Sequence, residues 1–113
     1  MIMNKLPKDY TEYRPLLEGL KIQDSRIHGQ GLFTIKLIPT SKVLGPTHYE
    51  YSETEPLLRL PLGGFVNHSD KPNCRISSSG YGFHVLITER VIQPDEELTI
   101  NYNVASCAKN CQK

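Results

Sequence analysis

The stretch Phe65-Val66-Asn67-His68-Ser69-Asp70-Lys71-Pro72-Asn73-Cys74 constrains this chain more than any other. It is too polar for a core strand and too rich in turn formers for a helix. An apolar pair leads in and a cysteine leads out. Loops run over the surface and carry function on a rigid scaffold. A loop so dense in hydrogen-bonding side chains, entered from an apolar pair, predicts the polar floor of a pocket.

The rest of the chain must supply that scaffold within 113 residues, which fits one domain. Hydrophobic content of 38% is too high for disorder. A formal net charge of +1 gives no global field toward nucleic acid or a membrane surface. No apolar run approaches the roughly 20 residues of a spanning helix. The start, Met1 to Pro7, lacks the apolar core of a secretory signal. The expectation is a soluble intracellular protein. Cys74, Cys107 and Cys111 make an odd count, which argues against a disulfide framework.

Read in order, residues 1–19 form an arm whose tyrosines and leucines lie over the domain. Pro7 and Pro15 limit any helix there to a turn. Lys21-Ile22-Gln23 predicts a short strand. His28-Gly29-Gln30-Gly31 comes next, where two glycines allow tight turns and close approach of a ligand. Leu32, Phe33 and Ile35 return to the core. Lys42 to Gly45 predicts a strand that Pro46 ends. Tyr49-Glu50-Tyr51 reads as a strand or a loop wall. Leu57 to Leu62, between Pro56 and Pro61, is too short for a long helix. Arg75-Ile76-Ser77, a turn over Ser78 to Gly82, and the alternating run Phe83 to Thr88 predict a hairpin. Gln93-Pro94-Asp95-Glu96 predicts a type I turn. Leu98, Ile100 and Tyr102 share the inward face of a last strand, so the Tyr102 hydroxyl needs a buried partner. Residues 104–113 are read as a tail.

Three pieces stand out together: His28-Gly29-Gln30-Gly31-Leu32-Phe33, then Asn67-His68-Ser69 through Pro72-Asn73-Cys74, then Glu96-Glu97-Leu98-Thr99-Ile100-Asn101-Tyr102. Each alone has a plain role as turn, loop or core. With Asp95 opening the third piece, they resemble in this order and spacing the SET-domain protein lysine methyltransferases, over residues 20–103. The resemblance implies a mostly β fold of several small sheets with a knot-like C-terminal crossing, an exception to the usual rule against threading. It implies S-adenosylmethionine as cofactor. Backbone groups around His28, Gly29, Gln30 and Gly31 would line its methionine end, and Asn67 and His68 would hold it from the other side. Tyr102 would be the catalytic tyrosine.

The implied chemistry is S-adenosylmethionine-dependent methyl transfer to a lysine side chain of a protein or peptide substrate. That is positioning catalysis around a reactive group the cofactor carries. No metal is needed. Asp70 stands where many members carry a zinc-binding Cys, and Cys107 and Cys111 lack the denser pattern that completes such a site. The segment between the Val43 strand and Asn67 is short, where most members insert a helical piece that builds half the substrate groove. The groove is then minimal, or completed by a partner, a second copy in a homodimer being one such partner. Neither membrane nor direct nucleic-acid binding is expected. Many relatives act on histones, and Glu50, Glu53, Glu55 and Asp70 near the groove would suit a basic peptide. The alternative reading is a non-catalytic module that keeps the fold to bind a protein partner.

Overall fold

The computed structural model describes residues 16–104. The expected tail, most of the expected arm, Cys107 and Cys111 lie outside the described residues. Among the described residues no helix is long and apolar enough to cross a membrane.

Two small four-stranded sheets build the domain, as expected of a mostly β chain. Strands β1 (Leu20–Asp24), β2 (Gln30–Thr34), β5 (Asn67–His68) and β8 (Glu97–Ile100) form the first, in the order β1-β2-β8-β5. Strands β3 (Val43–Tyr49), β4 (Leu58–Arg59), β6 (Cys74–Gly80) and β7 (Phe83–Thr88) form the second, in the order β4-β3-β7-β6. A short helix, α1 (Pro61–Phe65), connects β4 to β5. Its Pro61 sits at the helix start, where a missing N–H costs nothing. Leu32, Ile38, Leu44, Leu62, Val66, Ile76, Leu86, Ile92, Leu98 and Ile100 close the core between the sheets.

The hairpins form where their turn residues dictate. Tyr81 and Gly82 both have positive φ, 53° and 85°, as a type I′ turn requires between β6 and β7. On β7 the buried face carries His84, Leu86 and Thr88. Thr88 is tolerated inside because its hydroxyl donates to the Pro39 carbonyl at 2.7 Å and accepts from the Lys42 N–H at 2.8 Å.

Three local expectations are corrected. Pro46 does not end β3, which runs on to Tyr49. β4 reaches only His48 and Tyr49, so Pro46 has no partner strand on that side, and register shifts flank it against β7. The Gln93–Glu96 turn is not type I. Asp95 has φ 67° at the third position, which belongs to a type II turn, closed by the Glu96 N–H on the Gln93 carbonyl at 3.1 Å. Tyr102 is not on the last strand. β8 stops at Ile100, and Tyr102 opens a single 3-10 turn (Tyr102–Val104).

Candidate functional site

The site begins at the turn between β1 and β2. Ser25 N–H donates to the Gly29 carbonyl at 2.8 Å, and the Ser25 hydroxyl accepts the Ile27 N–H at 2.9 Å. Gly29 takes φ 49°, which favours glycine. Gly31 lies close to a different group. A Cβ there would fall onto the Glu97 carboxylate, which β8 brings alongside β2 through the Phe33–Glu97 register. His28, Gly29 and Gln30 are exposed around this turn.

Asn67 joins that turn to the polar loop. Its side chain is buried at 2% exposure. Nδ2 lies within hydrogen-bond distance of the carbonyl oxygens of His28 (3.1 Å) and Gln30 (3.3 Å), of Ser25 Oγ (3.2 Å) and of Glu97 Oε2 (2.9 Å). Two N–H hydrogens thus serve a cage of four oxygens. The Ser25 hydroxyl lies 2.9 Å from both Glu97 oxygens. Ser25 and Glu97 received no role from sequence reasoning. Their pairing spans 72 positions, and only the β2–β8 register reveals it.

His68 joins the loop to Tyr102. The Tyr102 N–H donates to His68 Nδ1 at 3.1 Å, so the ring proton sits on Nε2, 3.0 Å from Asp70 Oδ1. Asp70 therefore has a partner inside its own loop. The His68 and Tyr102 rings tilt against each other with centroids 5.1 Å apart. The Tyr102 hydroxyl donates to the Val66 carbonyl at 2.9 Å, which supplies the partner its half-buried position calls for. Burial pushes the phenol pKa up; the Arg59 charge opposes this and the Glu97 charge adds to it.

The end of the loop clasps β8. Asn73, 2% exposed, accepts the Thr99 N–H at 2.8 Å and donates to the Glu97 carbonyl at 2.8 Å. The Ser69 N–H donates to the Ile100 carbonyl at 2.9 Å, and β5 pairs parallel with β8. Asn73 also lies 3.2 Å from Glu96 Oε2. Burial pushes the Glu96 carboxyl up, but hydrogen bonds from Arg90, Gln93 and Asn73 outweigh it and hold the group below its usual range.

The residues expected to hold the cofactor are linked to one another and to Tyr102 by these contacts. His28, Gly29, Gln30 and Gly31 form one wall, Asn67 and His68 the seam, and Tyr102 the far end. Cys74 is buried at 1% exposure, and burial pushes its thiol up to about 12. Among the described residues no group of three His, Cys, Asp or Glu side chains is placed to hold a metal ion. A cavity of about 420 Å³ lies beside Leu17, Leu20, Lys36 and Ile38, and none of the site residues lines it.

Comparison with known proteins gives the family of the fold. A histone-lysine N-methyltransferase of Mycosarcoma maydis, H3 lysine-36 specific, is 43% identical over 54 residues, 45% of this chain and 6% of that protein. A SET and MYND domain-containing protein of Dictyostelium discoideum is 46% identical over 50 residues, 44% of this chain and 9% of that protein. The chain thus matches less than a tenth of the length of either relative. A crystal structure of a Plasmodium falciparum protein, described as a candidate histone methyltransferase, shares the fold. Its TM-score is 0.63 at 23% identity, over 80% of this chain and 97% of that one. The SET domain family profile matches residues 24–103, most of the chain, and the chain belongs to the SET domain family.

Proposed function

We propose that this chain transfers a methyl group from S-adenosylmethionine to the side-chain nitrogen of a lysine on a protein substrate. The observation that carries this reading is the set of hydrogen bonds from Asn67 to the His28–Gly31 turn and from the neighbouring His68 to Tyr102. Methyl transfer by displacement needs alignment more than acid–base chemistry, and such bonds hold two walls at fixed separation.

The residues present suit the cofactor. Glu97 is a half-buried carboxylate, and no cation of the described residues pairs with it. Its oxygens already accept from Ser25 and Asn67, and a cofactor carrying an ammonium and a sulfonium would offset its charge. The exposed turn at His28, Gly29 and Gln30 offers backbone polar groups for an amino-acid moiety, and Asn67 and His68 complete the seat. When bound, S-adenosylmethionine supplies the electrophilic methyl group.

Tyr102 has the right protonation for a positioning role. Its proton is donated to Val66 O, so its oxygen lone pairs remain to accept N–H from a neutral amine. That leaves the nitrogen lone pair for attack. Arg59 acts on the same place: a positive charge that lowers the Tyr102 pKa also disfavours an ammonium beside it.

The test is transfer of labelled methyl from S-adenosylmethionine to lysine-bearing proteins by the purified chain. Labelled methyl-lysine is the expected product. Tight cofactor binding with no transfer to any substrate counts against the reading. The non-catalytic alternative draws on the short 50–57 connection between β3 and β4, which leaves little groove. Calorimetry separates the two, since absence of cofactor binding favours the binding module.

A further inference from the structure

Asp70 follows a point of the polar loop where the backbone is already fixed. The Ser69 N–H donates to the Ile100 carbonyl at 2.9 Å, and the Ser69 hydroxyl accepts the Lys71 N–H at 3.0 Å. Further along the loop, Asn73 clasps β8. The loop thus holds Asp70 Oδ1 3.0 Å from His68 Nε2, with little further ordering to do. The Asp70 side chain is 91% exposed, so the pair contributes little to stability. The methyl-transfer geometry leaves Asp70 without a role.

Granted the methyl-transfer reading above, on which this rests, we propose that Asp70 is a positioning residue for Tyr102 and acts through the His68 ring. Tyr102 is held at two points. Its hydroxyl donates to the Val66 carbonyl at 2.9 Å, and its backbone N–H donates to His68 Nδ1 at 3.1 Å. That N–H belongs to the first residue of a 3-10 turn, where no preceding turn supplies an acceptor. The imidazole is the acceptor instead.

The second hold is only as firm as the ring. Turned over about its Cβ–Cγ bond, His68 offers carbon where Nδ1 had stood, and Tyr102 loses its acceptor. Packing against the Tyr102 ring, with centroids 5.1 Å apart, does not distinguish the two orientations. Asp70 does. It accepts the Nε2 proton, which leaves Nδ1 unprotonated and aimed at the Tyr102 N–H. A misplacement of about 1 Å at a positioning group costs far more rate than one hydrogen bond costs stability. An exposed pair can therefore matter to turnover while contributing little to the fold. The ring needs an acceptor at Asp70, and the negative charge is incidental.

The experiment compares the full chain with Asp70→Ala and Asp70→Asn, the second of which keeps an acceptor oxygen and drops the charge. Kinetics of labelled methyl transfer reads kcat and KM, thermal unfolding reads the fold, and nitrogen-15 NMR at mildly alkaline pH reads the His68 ring. Asp70→Ala lowers kcat about fivefold, the size of one hydrogen bond, with the thermal midpoint unchanged. Asp70→Asn recovers at least half of that loss. The ring shifts place the proton on Nε2 in the parent chain and in Asp70→Asn, and move toward an average of both tautomers in Asp70→Ala. An unchanged kcat in Asp70→Ala overturns the proposal. So does an equal loss in both variants, or a loss confined to KM, either of which places the effect in the charge. A fall in kcat that tracks a lower thermal midpoint also overturns it, because the role is then structural. Should the full chain transfer no methyl group to any substrate, the ring shifts still decide. Nε2 protonation that depends on an acceptor at this position supports the hold on Tyr102 and removes methyl transfer, whereas shifts indifferent to both variants end the proposal.

Discussion

At the scale of single residues, the site is a set of side chains with their hydrogen bonds assigned. Tyr102→Phe deletes the hydroxyl that bonds Val66 O. Transfer should fall at least about a hundredfold, since the lost group positions the amine in the transition state, while folding loses about 1 kcal/mol. Cofactor affinity should change little, and unchanged turnover would remove Tyr102 from the mechanism. Asn73 works on stability instead. Asn73→Ala leaves the Thr99 N–H and the Glu97 carbonyl buried without partners, at a cost of about 3 kcal/mol. Urea unfolding reads this; a loss under about 1 kcal/mol means water replaces the amide. His48 sets a pH dependence. It is 1% exposed; burial, aided by the Arg59 and His84 charges, lowers its pKa from 6.5 to about 4. Below pH 6.5 the unfolded chain takes up a proton that the folded chain refuses until about pH 4. Stability therefore falls as pH drops through that window, by up to about 3 kcal/mol, and flattens below it. His48→Leu should remove this slope in thermal unfolding, and a slope unchanged in the variant would place its origin elsewhere.

At the scale of elements, the turns and strand ends show where sequence reading succeeds and stops. The polar loop, the glycine turn and the β6–β7 hairpin were legible because each has local chemistry: turn formers, glycines at positive φ, or strict alternation. The Gln93–Glu96 turn was legible in place and wrong in type, because Asp tolerates the left-handed region that would ordinarily demand glycine. Relaxing that backbone gives a prediction. Asp95→Gly relieves about 1 kcal/mol of left-handed strain and gives back part of it in unfolded-chain entropy. The net gain is about 0.5 kcal/mol, a rise in Tm of roughly 2–4 °C. The lost ion pair with Lys21, 3.8 Å and exposed, matters little. A lower Tm in calorimetry would mean that the Asp95 side chain stabilises the turn in a way its φ does not reveal. Alternation in β8 misled for another reason. It set Thr99 outward, yet Thr99 is buried because Asn73 folds over it from the loop. No local pattern predicts a strand covered on its second face by a segment more than twenty residues upstream. The same holds for the Ser25–Glu97 contact, whose partners share no sequence signal.

At the scale of the whole molecule, β8 decides whether the pieces come together. It lies between β2 and β5, with Leu98 and Ile100 almost fully buried, and its backbone is bonded by Asn73 and Ser69. Every wall of the site meets β8 or the 3-10 turn after it: Glu97 faces the glycine turn and Asn67, and Tyr102 meets His68 and Val66. Chain topology therefore delays the site until the last strand docks, because contacts this distant in sequence form only after long loops close. A fragment ending at Glu96 keeps the β1–β2 and β6–β7 hairpins but has no central strand for the first sheet. Such a fragment should show no cooperative urea transition and no near-ultraviolet dichroism, since isolated hairpins are marginal in water. Adding a peptide of residues 97–104 should restore a little structure at high concentration, as β8 supplies the missing strand in trans. A cooperative transition in the fragment alone would show that the second sheet folds as an independent unit. The site would then be a late addition to a stable scaffold, with Asn67, His68 and Tyr102 free to separate without unfolding the rest.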